Sequence, residues 1–303
     1  MANIRIIGVP MDLGASRRGV DMGPFAVRYT DLRDRLVRIG HTVEDAGNIA
    51  VPLREDAERG AQRGAHFLGA IAGVSKLVAN ETESALRAGR IPLLLGGDHS
   101  FAGGSIAGAA RFHAKSNGRI GVIWLDAHGD LNTPGTSHSG NVHGMPLAHL
   151  LGHGDNEFAH IAGADAALDA ENVALVGVRD LDVPEREHVK AWGLRALTMR
   201  DIDEHGVRTV MQQAIEVAGT GTAGIWLSFD LDCLSPDDAP GVGTAVPGGM
   251  TIREAHLAME MLADTGRLIG MDVVEVNPVL DERNRTAELA TELILSALGK
   301  RIL

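Results

Sequence analysis

Short apolar runs recur along the chain at 4–9, 91–95, 121–125, 173–178, 224–229 and 268–276. They are strand-length, and several do not alternate apolar with polar, the pattern of a strand buried on both faces. Longer stretches with helical periodicity lie between or beside them, at 26–39, 57–88, 100–112, 202–217, 251–263 and 288–298. Thr251 followed by Glu254 is a capping-box start for one of these. This alternation predicts an α/β fold of three layers (α/β/α) with a mostly parallel central sheet. No linker, repeat or low-complexity tract divides the chain, so residues 1–303 are expected to form one domain.

Aromatic residues make up 3% of the chain against 45% for the whole hydrophobic set, so the core must rest on Ala, Val, Ile and Leu. A net charge of −12 argues against nucleic acid as a partner, because phosphate binding needs a basic stripe. Cys233 is the only cysteine, which rules out an internal disulfide and fits a reducing compartment; a small buried side chain is its expected role. No uncharged apolar run approaches the ~18 residues of a membrane helix. The opening "MANIRIIGVP" enters a strand-like run without a secretory leader pattern, so a cytoplasmic protein is expected.

Ionisable residues gather where apolar runs end. "LLLGGDHS" (93–100) closes on Asp98 and His99, "IWLDAHGD" (123–130) carries Asp126, His128 and Asp130, and "IWLSFDLD" (225–232) carries Asp230 and Asp232. In open α/β sheets ligands bind beyond the carboxyl ends of the strands, so three distant segments converge. Alternation along an extended backbone lets Asp126, His128 and Asp130 point one way, and Asp230 and Asp232 repeat the spacing. With His99 the set holds four carboxylates and two imidazoles. Four packed carboxylates repel unless a counter-charge joins them, and two divalent cations balance them. Oxygen-rich donors with two nitrogens favour Mn²⁺, with Fe, Co, Ni or Zn compatible. Two metals ~3.5–4 Å apart can bridge and ionise one water, and the reaction class is then hydrolysis at an electrophilic carbon.

"GGDHS" (96–100), "DAHGDLN" (126–132) and "SFDLDCLSPDDAPGVGTAVPGG" (228–249) resemble the signatures of the ureohydrolases, manganese enzymes that release urea from guanidino compounds. The likeness runs from "GVPMDLGASRRGVDMGP" (8–24) to "NRTAELATELILSAL" (284–298). It implies two Mn²⁺ per subunit. His99, Asp126, Asp130 and Asp230 would hold one; His128, Asp126, Asp230 and Asp232 the other. Within the family "NTPGTSHSGNVHGMP" (132–146) is similar to the arginase type rather than the agmatinase type. Its neutral donors Asn132, Thr136, Ser137, Ser139 and Asn141 suit a substrate carboxylate, and the resemblance places Asn132, Ser137 and Ser139 there. It implies further that Asp182, with Asp180 and Glu185 nearby, receives the α-amino group. Glu275, expected within an apolar strand, would pair with the guanidinium, with Thr244 helping; Asp272 in the same run is expected to be structural.

The implied reaction is hydrolysis of L-arginine to L-ornithine and urea by a metal-bridging hydroxide, with His143 or Asp130 protonating the leaving amine. Agmatine or another guanidino compound is the alternative substrate, and a non-catalytic scaffold of the same fold a third reading. His149 and His153 lack an acidic partner motif and are expected at the surface or in packing. Ser235 stands where the family usually has Asp, and Ala245 and Pro247 alter its "GTP" run. The resemblance also implies a homotrimer or homohexamer with no membrane partner.

Overall fold

The computed structural model describes residues 1–60, 64–164 and 166–301. Its strands are β1 Asn3–Val9, β2 Thr42–Asn48, β3 Ile91–Gly96, β4 Gly121–Leu125, β5 Val173–Val178, β6 Arg195–Thr198, β7 Ile225–Asp230 and β8 Leu268–Val274. They form one eight-stranded sheet in the order β2-β1-β3-β8-β7-β4-β5-β6, with every neighbouring pair parallel. The expected three-layer fold is therefore observed.

Each central strand feeds two cores. In β4, Ile123 and Leu125 pack on one face while Val122 and Trp124 pack on the other. Helices Gly23–Arg28, Leu32–Arg38, Met199–Gly219, Ile252–Asp264 and Arg285–Ala297 cover the first face. Leu68–Arg87 and Ala102–Ala114 cover the second. The latter two approach closely: a Cβ at Gly104 would lie 2.4 Å from the Ser75 carbonyl oxygen, and one at Gly108 equally close to that of Ala79. Two glycines one turn apart thus set this helix spacing.

The structure departs from the sequence reading in several places. The helix expected at 26–39 is two helices, broken where Asp31 takes a left-handed backbone (φ 59°). The one expected at 57–88 begins only at Leu68, and residues 61–63 lie outside the described residues. The expected helix at 100–112 opens as a 3₁₀ turn, His99–Phe101. Strand 268–276 stops at Val274, leaving Glu275 beyond it with φ 65°. The edge strands β2 and β6 were not expected: β2 is largely exposed and β6 is only four residues long and partly exposed, so neither carries a continuous apolar run. The capping box at Thr251 and Glu254 is present as read.

His149 is fully buried, as a packing residue. Its Nδ1–H donates to the Met145 carbonyl at 2.8 Å and its ring lies 4.6 Å from that of Phe158. Burial pushes its pKa down to about 4, against about 6.5 for a free side chain. Protonation therefore favours the unfolded chain. The stability is complete above about pH 6.5 and is lost progressively as pH falls from there to about 4, by roughly 3 kcal/mol in all. Denaturant unfolding at pH 7 and pH 4.5 should show a smaller loss of stability for His149→Gln than for the wild type, by about 2 kcal/mol; equal losses would refute the assignment.

Candidate metal centre and substrate cleft

Four adjacent central strands, β3, β8, β7 and β4, end at the same edge, and their exits carry the ionisable residues. The convergence does not arise as the sequence suggested. β4 ends at Leu125, and the chain leaves it through a bend in which Asp130 takes φ 53°. The 126–130 segment is thus a turned loop and not an extended strand. Asp230 closes β7, and Asp232 lies in the 3₁₀ turn Leu231–Cys233, whose first turn Asp230 caps through Asp232 N (2.8 Å).

Side-chain atoms able to hold a metal ion form two groups, His99–Asp126–Asp230 and Asp126–His128–Asp232, with Asp126 common to both. His99 Nδ1 lies 3.1 Å from Asp126 Oδ2, 3.1 Å from Asp130 Oδ2 and 3.2 Å from Asp230 Oδ2. His128 Nδ1 lies 3.0 Å from Asp232 Oδ2 and 3.5 Å from Asp126 Oδ1. All four aspartates are buried.

His99 is held from behind. Ser228 Oγ donates to Asp272 Oδ1 (2.6 Å), so it accepts from His99 Nε2–H (2.8 Å). Asp272 also accepts from Trp226 Nε1 (2.7 Å) and Ser105 Oγ (2.8 Å), and Trp124 stacks on the imidazole at 4.2 Å. Nδ1 is thereby aimed at the carboxylates. Yet neither His99 Nδ1 nor Asp130 Oδ2 makes a hydrogen bond among the described residues, although both are buried. One N–H cannot serve three carboxylates, so the arrangement fits a cation placed among them.

The electrostatics agree. Burial, reinforced by Asp232 and Asp126, drives the Asp230 pKa well up, and burial with Asp126 raises that of Asp130 to about 6. Burial opposes the His99 and His128 imidazolium forms, but the surrounding carboxylates prevail and raise both. Positive charge, as protons or as metal, is what this pocket draws in.

A cleft of about 220 Å³ opens over these groups, lined by His99, His128, Asp130, Asp230, Asn132, His143, Gly144, Asp180, Asp182, Glu185 and Thr244. Asn132 Nδ2 donates to Asp182 Oδ2 at 2.9 Å, which brings the two expected amino-acid contacts together. Asp182 caps helix Val183–Ala191 reciprocally with Glu185, whose Oε1 also accepts from Leu131 N (3.2 Å). Burial lifts the Glu185 pKa to about 7. Thr244 Oγ1 donates to Asp232 Oδ2 (3.0 Å). The lining does not reach Ser137 or Ser139, whose hydroxyls accept from Gly140 N and Asn141 N within the loop.

Glu275 is buried. Its Oε1 accepts from His99 N and His143 Nδ1, both at 3.1 Å, and its Oε2 has no hydrogen-bond partner among the described residues. Burial alone would lower the His143 pKa, but Glu275 raises it to about 9. Asp98 serves the backbone instead, accepting from Gly14 N at 2.8 Å and from Ser100 N at 3.0 Å. Sequence reasoning missed Ser228, Trp124 and Arg179. A lone serine two residues before Asp230 in an apolar strand was the available signal for the first.

A family model described as the arginase family matches residues 2–299. The arginase of Brevibacillus brevis is 48% identical over 301 residues, covering 99% of each chain. The native structure of the Bacillus caldovelox arginase superposes with a TM-score of 0.95 at 46% identity over the whole of both chains. The Entamoeba histolytica arginase in complex with L-ornithine gives a TM-score of 0.91 at 30% identity, over 99% of each chain. With its metal-fitting groups at the sheet's carboxyl edge, the chain belongs to the arginase family.

Proposed function

We propose that the protein hydrolyses L-arginine to L-ornithine and urea with two bound Mn²⁺ ions. The observation that carries this reading is the pair of ligand groups sharing Asp126 at the floor of an acidic cleft. His99, Asp126, Asp130 and Asp230 would hold one ion, and His128, Asp126, Asp230 and Asp232 the other. Once bound, the two ions would supply a water activated at neutral pH and Lewis-acidic stabilisation of developing charge.

The remaining work falls to side chains. Glu275 offers Oε2, a buried acceptor in need of donors, to the planar guanidinium. Thr244, hydrogen-bonded to Asp232, helps set that end of the substrate. At the far end Asp182 receives the α-amino group, while Asn132, Ser137 and Ser139 receive the carboxylate through neutral donors. His143, with a pKa near 9, carries a proton at neutral pH and gives it to the leaving amine; Asp130 is the alternative donor. A relative that holds L-ornithine, the product of this reaction, supports arginine as substrate.

The same proposal treats residues 1–303 as one catalytic domain of a cytoplasmic homotrimer or homohexamer. No helix among the described residues is long and apolar enough to cross a membrane. Urea and ornithine should form from arginine in the presence of Mn²⁺, fall to background after chelation and return on adding Mn²⁺. Turnover that survives chelation, or agmatine outpacing arginine, would overturn the reading.

A further inference from the structure

Arg179 follows β5 and is half-buried, and among the described residues its side-chain hydrogen bonds go to no carboxylate. Its guanidinium donates instead to six backbone carbonyls. Nη2 reaches Val246 O (2.6 Å), Asp232 O (2.7 Å) and Leu234 O (3.3 Å). Nη1 reaches Cys233 O (3.3 Å) and Gly177 O (3.4 Å), and Nε reaches Pro247 O (3.1 Å). The fork is fully used, and Gly249 leaves it room: a Cβ there would sit 2.7 Å from Nη2.

Five of these carbonyls belong to the two segments that flank one half of the site, and the sixth, of Gly177, lies in β5 itself. Residues 232–234 carry Asp232, and residues 246–247 follow Thr244, which itself donates to Asp232. The Arg179 backbone completes the tie, because its N–H donates to Ala127 O (2.8 Å), between Asp126 and His128. Ala127 N in turn donates to Asp232 Oδ1 (3.1 Å). One residue therefore grips the loop bearing His128, the turn bearing Asp232 and the loop bearing Thr244. Among the described residues none of its hydrogen bonds reaches the His99 side of the site; the atoms behind His99 are Ser228 and Asp272.

We propose that Arg179 is a positioning residue for the Asp126–His128–Asp232 group, holding Asp232 against His128 so that this half of the centre binds its ion tightly. The inference rests on the two-metal reading above. A lysine cannot reproduce a planar fork on six carbonyls, so even the charge-conserving change is not neutral here.

The test is Mn²⁺ titration of the metal-free wild type, Arg179→Lys and Arg179→Met, by calorimetry, with anomalous diffraction at the manganese edge to locate retained ions. The wild type should take up two equivalents. Arg179→Met should keep the ion at His99 and bind the other at least ~10-fold more weakly, with Arg179→Lys intermediate. Should Arg179→Met fail to fold, Arg179→Lys carries the test through the same selective weakening. Two ions bound at wild-type affinity in both variants overturn the inference while leaving the two-metal reading intact, and so does an equal loss at both positions, which marks a general structural role. A wild type that takes up fewer than two ions overturns the two-metal reading and this inference with it.

Discussion

Asp126→Ala should lose both metal ions and all measurable arginine hydrolysis. Asp126 is common to both clusters of donor atoms and, with Asp230, is one of the two carboxylates proposed to serve both ions. Its Oδ2 faces His99 Nδ1 and its Oδ1 faces His128 Nδ1, while Trp124 Nε1 (3.0 Å) and His128 N (2.7 Å) fix its orientation. Although burial works against the anion, the two imidazoles hold this carboxyl below the usual carboxylate range. Disturbing a partner one layer outside a metal costs ~10–100-fold, so deleting the shared ligand should cost at least ~1,000-fold in kcat/KM. A second readout is thermal. An ion present at 100 times its Kd stabilises the folded state by about 2.7 kcal/mol, so Mn²⁺ should raise the wild-type Tm and leave that of Asp126→Ala unmoved. Wild-type turnover, or an undiminished thermal response to Mn²⁺, would remove Asp126 from the centre.

The fold was legible where physics is local. Strands 121–125 and 173–178 came out at their bounds because a strand buried on both faces leaves no polar residue to blur its ends. β2 and β6 were hidden for the opposite reason: with one side open, their exposed residues read as loop. The break at Asp31 and the late helix start after Phe67 were hidden because each depends on one residue with a left-handed backbone, which helical periodicity does not register.

The site was legible as a set of residue types but not as a geometry. Alternation correctly grouped Asp126, His128 and Asp130, for a reason the structure does not bear out: it is a bend, with Asp130 at φ 53°, that turns them inward. The resemblance supplied the role of Glu275, which its apolar neighbours in sequence put inside a strand and the structure puts just past the end of one. What no local pattern could supply was the support. Ser228 and Arg179 act through partners tens to over a hundred residues away, as with His99 and Ser228, 129 positions apart; Asp272 alone was read as structural, without its partners.

Glu275→Gln should preserve the fold and impair arginine hydrolysis severely. The side chains are nearly the same size, and Glu275 N still donates to Gly97 O (2.9 Å) through the backbone. The charge is what changes. Gly243 packs so close that a Cβ there would sit 2.8 Å from Oε2, so the carboxylate has little freedom to find another partner. A guanidinium brought to a neutral amide loses a buried charge-assisted pair, which costs about 2–5 kcal/mol, or roughly 30- to several-thousand-fold in kcat/KM. KM should rise as well as kcat fall, because the pair forms in the ground state. The substitution also withdraws the main support for the His143 imidazolium, whose pKa Glu275 raises to about 9 against the effect of burial. Loss of that anion lowers the His143 pKa, so the fraction of His143 able to donate a proton declines at a lower pH. The alkaline limb of the kcat profile should therefore move towards acid if His143 is the donor, and stay in place if Asp130 is. An unchanged kcat and KM at every pH would remove Glu275 from substrate binding altogether.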